Sequence, residues 1–206
     1  MDAVLRCGFS FETNVQQDSN NPYLTKFTEI LAIDNRKLLH RSDRFVAGTE
    51  TTSTTLAFCT YVLATHPDVQ QKLQDEIDAN VGDSAQLSTY EIVDNLKYLD
   101  MFIKEVNRMF PIVPIVINRL CVRDTTIGQY TVKEGTIVQP DVYSIHYDAD
   151  LWGPVDPYKF HPERHAVKRH PLAYLPFGAG PRNCVAIIQL SISTSMYDAK
   201  NVAKMP

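Results

Sequence analysis

The sequence holds one tryptophan and four cysteines in 206 residues. Cys7, Cys59, Cys121 and Cys184 lie far apart, and no two stand at C-x-x-C spacing. A zinc knuckle or thioredoxin-type motif is therefore not indicated. The cysteines are also too sparse for a disulfide scaffold. No run approaches the roughly 20 apolar residues of a membrane-spanning helix. Residues 1–15 have neither the basic start nor the sustained apolar stretch of a signal peptide. There is no dense basic run to hold phosphates and the net charge is −4, so no nucleic-acid partner is expected. Internal repeats and low-complexity segments are absent. What remains is ordinary for a chain that builds a core: 44% hydrophobic and 21% charged residues. The length suits one domain or slightly more.

Residues 1–17 read as a helix with a ragged apolar face. Asp18-Ser19-Asn20-Asn21-Pro22 breaks it, and a second helix is expected from about Tyr23 to Leu39. Ser42 or Asp43 is placed to cap a third helix running to about Thr65, where His66-Pro67 stops it. That helix carries Thr49, Thr51, Thr52, Ser53, Thr54 and Thr55, hydroxyl residues that are indifferent helix formers. Pro67 suits the first turn of the next helix. Val69, Leu73 and Ile77 give that helix one apolar face as far as Gly82. Ser88-Thr89-Tyr90-Glu91 has the form of a capping box. After it, Leu96, Leu99, Ile103 and Val106 make a stripe that ends at Pro111. Ile112 to about Ile145 is rich in Val, Ile, Thr and Tyr, with a turn at Lys133-Glu134-Gly135, and predicts a small antiparallel sheet. Beyond Asp148, closely spaced prolines from Pro154 to Pro181 exclude long regular structure. The expected class is mainly α with a small antiparallel β-sheet.

The richest chemistry lies in Pro176-Phe177-Gly178-Ala179-Gly180-Pro181-Arg182-Asn183-Cys184. Its glycines permit close approach of backbone to a ligand, and its cysteine is a soft donor. The plain alternative is a glycine-rich loop holding a buried cysteine. Glu105 and Arg108 form an i, i+3 pair, by itself no more than a surface pair. Ala47-Gly48-Thr49-Glu50-Thr51-Thr52 is either a threonine-rich core segment or a small-residue surface with proton-carrying side chains.

Together these segments resemble the C-terminal half of the cytochrome P450 family, in its animal microsomal style. The loop matches F-x-x-G-x-R-x-C at Phe177, Gly180, Arg182 and Cys184. Glu105 and Arg108 match E-x-x-R, and Arg164 in Pro162-Glu163-Arg164 supplies a third member. Residues 47–52 match A-G-x-[DE]-T-[ST], and His146, Asp148 and Trp152 match H-x-D-x-x-x-W. The resemblance implies a haem-thiolate monooxygenase with a partial cytochrome P450 fold. Cys184 would ligate the iron of heme b. Arg182 and Arg119 would meet the propionates, and Phe177 and Gly178 would lie against the ring. Ala47 and Gly48 would make room for oxygen and substrate, with Glu50 and Thr51 carrying protons. Glu105, Arg108 and Arg164 would form a buried triad locking the loop, and His146 and Trp152 would be structural. Electrons would come from NADPH through NADPH-cytochrome P450 reductase, the substrate would be an apolar small molecule, and the location the endoplasmic reticulum membrane.

The sequence also departs from the family. His165 stands where phenylalanine is usual, and Ala186 replaces a glycine. No anchor and no W-x-x-x-R helix are found, the passage from Ile33 to Ser42 is short, and residues 187–206 diverge. These features read as one incomplete domain, with clear resemblance over 42–186 and weaker over 1–32, truncated and internally deleted. Three readings follow: a monooxygenase, a non-catalytic haem-binding or regulatory fragment, or a chain that does not fold stably.

Overall fold

The computed structural model describes residues 43–81, 96–114 and 118–184. The helices expected at 1–17 and 23–39, the Ser42 cap, the capping box at Ser88 and the tail at 187–206 lie outside these residues. The described residues fall into two units, one up to Leu96 and the other from Lys97 onward.

In the first unit, α1 spans Asp43–Thr65 and α2 spans Pro67–Val81, close to their expected limits. His66 is the joint between them: its N–H closes on Val62 O, and its carbonyl accepts from the N–H groups of Val69 and Gln70. The hydroxyl-rich stretch forms a helix because its side chains bond to the helix itself. Thr52 donates to Gly48 O at 2.6 Å, Ser53 to Glu50 O and Thr55 to Thr51 O, both at 2.9 Å. Such back-bonds satisfy the hydroxyls without leaving the helix. α1 and α2 pack together, and Cys59, Val62, Leu63, Val69, Leu73 and Ile77 are buried. The four-residue spacing of the last three puts them on one face.

In the second unit, α3 spans Lys97–Met109. It buries Leu99, Phe102, Ile103 and Val106, and Glu105, Asn107 and Arg108 as well. It packs against a 3-10 turn at Pro162–Ala166 and against a short helix, α4, at Val142–Tyr147. Phe102 and Phe160 meet edge to face at 5.7 Å.

The β structure differs in detail from the single expected sheet. Strand β1 (Arg119–Leu120) pairs antiparallel with β4 (Ile137–Val138), and β2 (Thr125–Ile127) pairs with β3 (Tyr130–Val132). These are two ends of one hairpin interrupted in its middle. There the Asp124 carboxylate takes the Glu134 N–H at 2.9 Å and Lys133 Nζ at 2.6 Å. The expected turn at Lys133-Glu134-Gly135 falls at this interruption. The tip turns at Gly128-Gln129, where Gly128 has φ 58°, a conformation that costs a side-chain-bearing residue about 1 kcal/mol.

Val142–Ile145, expected in the sheet, are helical. Asp141 decides this: its carboxylate accepts from the Ser144 N–H at 3.1 Å and from the Ser144 hydroxyl at 2.7 Å, an N-cap that overrides the β-branched residues. The proline-rich stretch contains only short pieces. They are α5 at Ala149–Trp152, capped by Asp148, and 3-10 turns at Pro162–Ala166 and Gly180–Arg182. Among the described residues, no helix is long and apolar enough to cross a membrane.

Candidate functional site

The second unit is organised around one buried carboxylate. Glu105 Oε2 accepts from Arg108 Nε at 2.8 Å and Oε1 from Arg108 Nη2 at 2.9 Å, a two-pronged pair within α3. Arg164 Nε donates to Oε1 at 2.9 Å and the His161 N–H at 3.0 Å. His165 Nε2 reaches Oε2 at 2.9 Å. Burial by itself would raise the Glu105 pKa, but the bonds from His165 and Arg108 and the Arg108 charge overcome it and hold the group at about 2. The carboxylate is therefore ionised at neutral pH. Two guanidiniums share this one charge, and backbone carbonyls absorb their remaining N–H groups. Arg108 donates to His146 O at 2.6 Å and Pro157 O at 2.8 Å. Arg164 donates to Trp152 O at 2.7 Å and Lys159 O at 2.9 Å. The irregular 152–159 segment, which has little secondary structure of its own, is thereby tied to α3. Arg108 and Arg169 both lie over the Trp152 ring, at 5.2 Å and 5.1 Å.

From this hub the path to the cysteine loop is short. His146 on α4 is fully buried. Its Nδ1 meets Arg108 O at 2.9 Å and its Nε2 meets the Leu175 N–H, also at 2.9 Å. Burial lowers its pKa to about 4, which keeps the ring neutral. The ring stacks on Tyr174 at 5.9 Å, immediately before the loop.

The loop closes on itself. The Gly178 N–H bonds to Leu175 O at 3.2 Å, the Asn183 N–H to Gly180 O at 3.1 Å, and the Cys184 N–H to Phe177 O at 2.9 Å. Gly178 turns the chain at φ 73°, which glycine adopts without strain. Phe177 and Gly178 are half-buried, and Arg182 and Cys184 are exposed. Cys184 is a thiol outside any disulfide. Arg119, at the start of β1, reaches across 60 residues and donates from Nη2 to Ala179 O at 3.3 Å, with Nη1 on Asn118 O at 2.8 Å. Phe177, Gly178, Arg182, Cys184 and Arg119 thus gather in one place.

The remaining candidates lie in the first unit. Ala47, Gly48, Glu50 and Thr51 are on α1, with Glu50 exposed and Gly48 and Thr51 half-buried. Among the described residues, Thr49 Oγ1 is buried without a hydrogen-bond partner.

Among the described residues, no group of three His, Cys, Asp or Glu side chains comes together to hold a bare metal ion. The loop offers instead one accessible soft sulfur, a turn without a side chain at Gly178, and cationic groups at Arg119 and Arg182. A flat metal macrocycle bearing carboxylates fits such a set.

The resemblance implies a triad of Glu105, Arg108 and Arg164 and marks His165 only as standing where phenylalanine is usual. His165 is instead a direct donor to Glu105, and Arg169 adds bonds to Leu151 O at 2.6 Å and Gly153 O at 3.3 Å.

The family model described as Cytochrome P450 matches residues 34–186. Cytochrome P450 3A12 of Canis lupus familiaris is 44% identical over 161 residues, covering 76% of this chain and 31% of that protein. Cytochrome P450 3A5 of Homo sapiens is 43% identical over 160 residues, with the same two shares. Cytochrome P450 3A19 of Capra hircus aegagrus is 46% identical over 144 residues, 68% of this chain and 64% of that protein. The chain spans about a third of the length of the first two relatives.

Proposed function

Because this chain belongs to the cytochrome P450 family, we propose that it takes part in haem-thiolate monooxygenation, with Cys184 as the ligand to iron. The observation that carries this reading is the reach of Arg119 to the Ala179 carbonyl, inside a loop that ends on the exposed Cys184 thiol. When bound, haem b supplies the oxygen-activating iron, and a thiolate ligand favours O–O cleavage. Arg119 and Arg182 would pair with the propionates through charge-assisted hydrogen bonds. Phe177 and Gly178 would line the ring on the cysteine side. Ala47 and Gly48 would make room for oxygen and substrate. The exposed Glu50 carboxylate would exchange protons with solvent and the Thr51 hydroxyl would pass them on. One oxygen atom would enter an apolar substrate and the other leave as water, with electrons from NADPH through NADPH-cytochrome P450 reductase. By family resemblance we propose the endoplasmic reticulum membrane as the site of this work, and we read residues 1–206 as belonging to a single domain, with clear resemblance over 42–186.

The test is turnover of an apolar substrate under labelled oxygen gas, with the full chain, haem, the reductase and NADPH. Product carrying the label supports the reading. Haem uptake without labelled product would turn it toward a non-catalytic haem-binding fragment. No haem uptake would reject both.

A further inference from the structure

We propose that His146 is a positioning residue for the cysteine loop, held as the neutral Nδ1–H tautomer so that one ring nitrogen anchors α3 and the other anchors Leu175. A carbonyl oxygen only accepts, so the 2.9 Å contact to Arg108 O requires a proton on Nδ1. A backbone N–H only donates, so the 2.9 Å contact from Leu175 requires a bare Nε2. Both demands are met by one tautomer, and a doubly protonated ring would set two N–H groups against each other. No water competes, because the residue is fully buried.

The anchored amide is well placed to matter. Leu175 O receives the Gly178 N–H, and Phe177 O receives the Cys184 N–H. Fixing Leu175 therefore fixes the first turn of the loop, and the loop in turn fixes the backbone of Cys184. At its other end the imidazole holds Arg108, whose side chain is locked on Glu105. His146 thus links the buried charge hub to the loop by hydrogen bonds at both nitrogens. Trp152 and Tyr174 hold its plane, edge-on at 6.4 Å and stacked at 5.9 Å. The consequence for haem ligation rests on the function proposed above, whereas the anchor itself does not.

The two bonds can be separated by substitution in the full chain. Asparagine places an amide N–H near Nδ1 and keeps the bond to Arg108 O. Glutamine places an amide oxygen near Nε2 and keeps an acceptor for Leu175. The expected result is that His146→Asn speeds exchange of the Leu175 amide hydrogen by about tenfold or more, as loss of a buried bond implies. His146→Gln should leave it near the unaltered rate. The haem-bound fraction with a thiolate absorbance signature should fall in His146→Asn and persist in His146→Gln. Equal Leu175 exchange in the two variants would overturn the proposal. So would nitrogen NMR of the unaltered chain showing a proton on Nε2, a reading that needs no variant to fold. If even the unaltered chain takes up no haem, the proposed function fails, and exchange at Leu175 alone decides the anchor.

Discussion

Glu105 shows how much one side chain can organise. Its carboxylate takes five donated hydrogen bonds, from Arg108 twice, Arg164, His165 and the His161 backbone. Removing it would strand two buried guanidiniums, and breaking a buried pair this way costs about 3–5 kcal/mol. Glu105→Ala should therefore lower the stability of the chain by that order, read from the shift of a urea unfolding curve. A shift no larger than that of an exposed control such as Asp100→Ala would contradict the role given to the carboxylate. The triad was legible only through the family resemblance, because Glu105 and Arg108 one turn apart are by themselves no more than a surface pair and nothing local ties Arg164 to them. The His165 bond was not legible, because its partner lies 60 residues away and nothing local announces the contact.

At the scale of elements, caps and turns decided what hydrophobic periodicity left open. The helices with apolar residues three or four apart, α2 and α3, lie close to where the sequence puts them. The sheet was harder. Its Val, Ile and Tyr residues continue into α4, and the bonds that Ser144 donates to Asp141 mark the change of state. Asp141→Ala should accordingly destabilise α4 by about 1 kcal/mol, the usual value of an N-cap. Faster amide exchange confined to residues 142–147 is the expected readout, and exchange unchanged there would refute the cap. His146 lies on this helix, so the cap also supports the element that carries the anchor to Leu175. The interruption of the hairpin at Asp124 was likewise invisible to composition, since it rests on a side chain ten residues away taking the Glu134 N–H.

For the whole molecule, buried ionisable groups tie stability to pH. His146 has its pKa lowered to about 4 by burial, below the ordinary 6.5. As pH falls from about 6.5 to 4 the unfolded chain gains a proton that the folded chain refuses, so stability drops, by about 3 kcal/mol in order of magnitude. His165, also lowered by burial, acts in the same direction. Glu105, held at about 2, contributes stability that is complete above its ordinary value of 4.5 and is lost as pH falls toward 2. Unfolding midpoints measured from neutral to acid pH should fall in two stages, first between about 6.5 and 4 and then below about 4.5. A midpoint flat down to pH 4 would mean His146 is not held neutral. The cysteine loop was recognisable from its residues alone. The approach of Arg119 from β1 rested on resemblance, since a spacing of 60 residues carries no local pattern.

The central claim, that Cys184 is an iron ligand in a haem site, is tested most directly by one spectrum. The full chain is reconstituted with haem, reduced and exposed to carbon monoxide, and its absorbance difference is recorded. The account predicts a Soret band displaced to the long wavelength of a thiolate-ligated ferrous–carbon monoxide complex, lost in Cys184→Ser. A band without that displacement, or one that survives in Cys184→Ser, would contradict it.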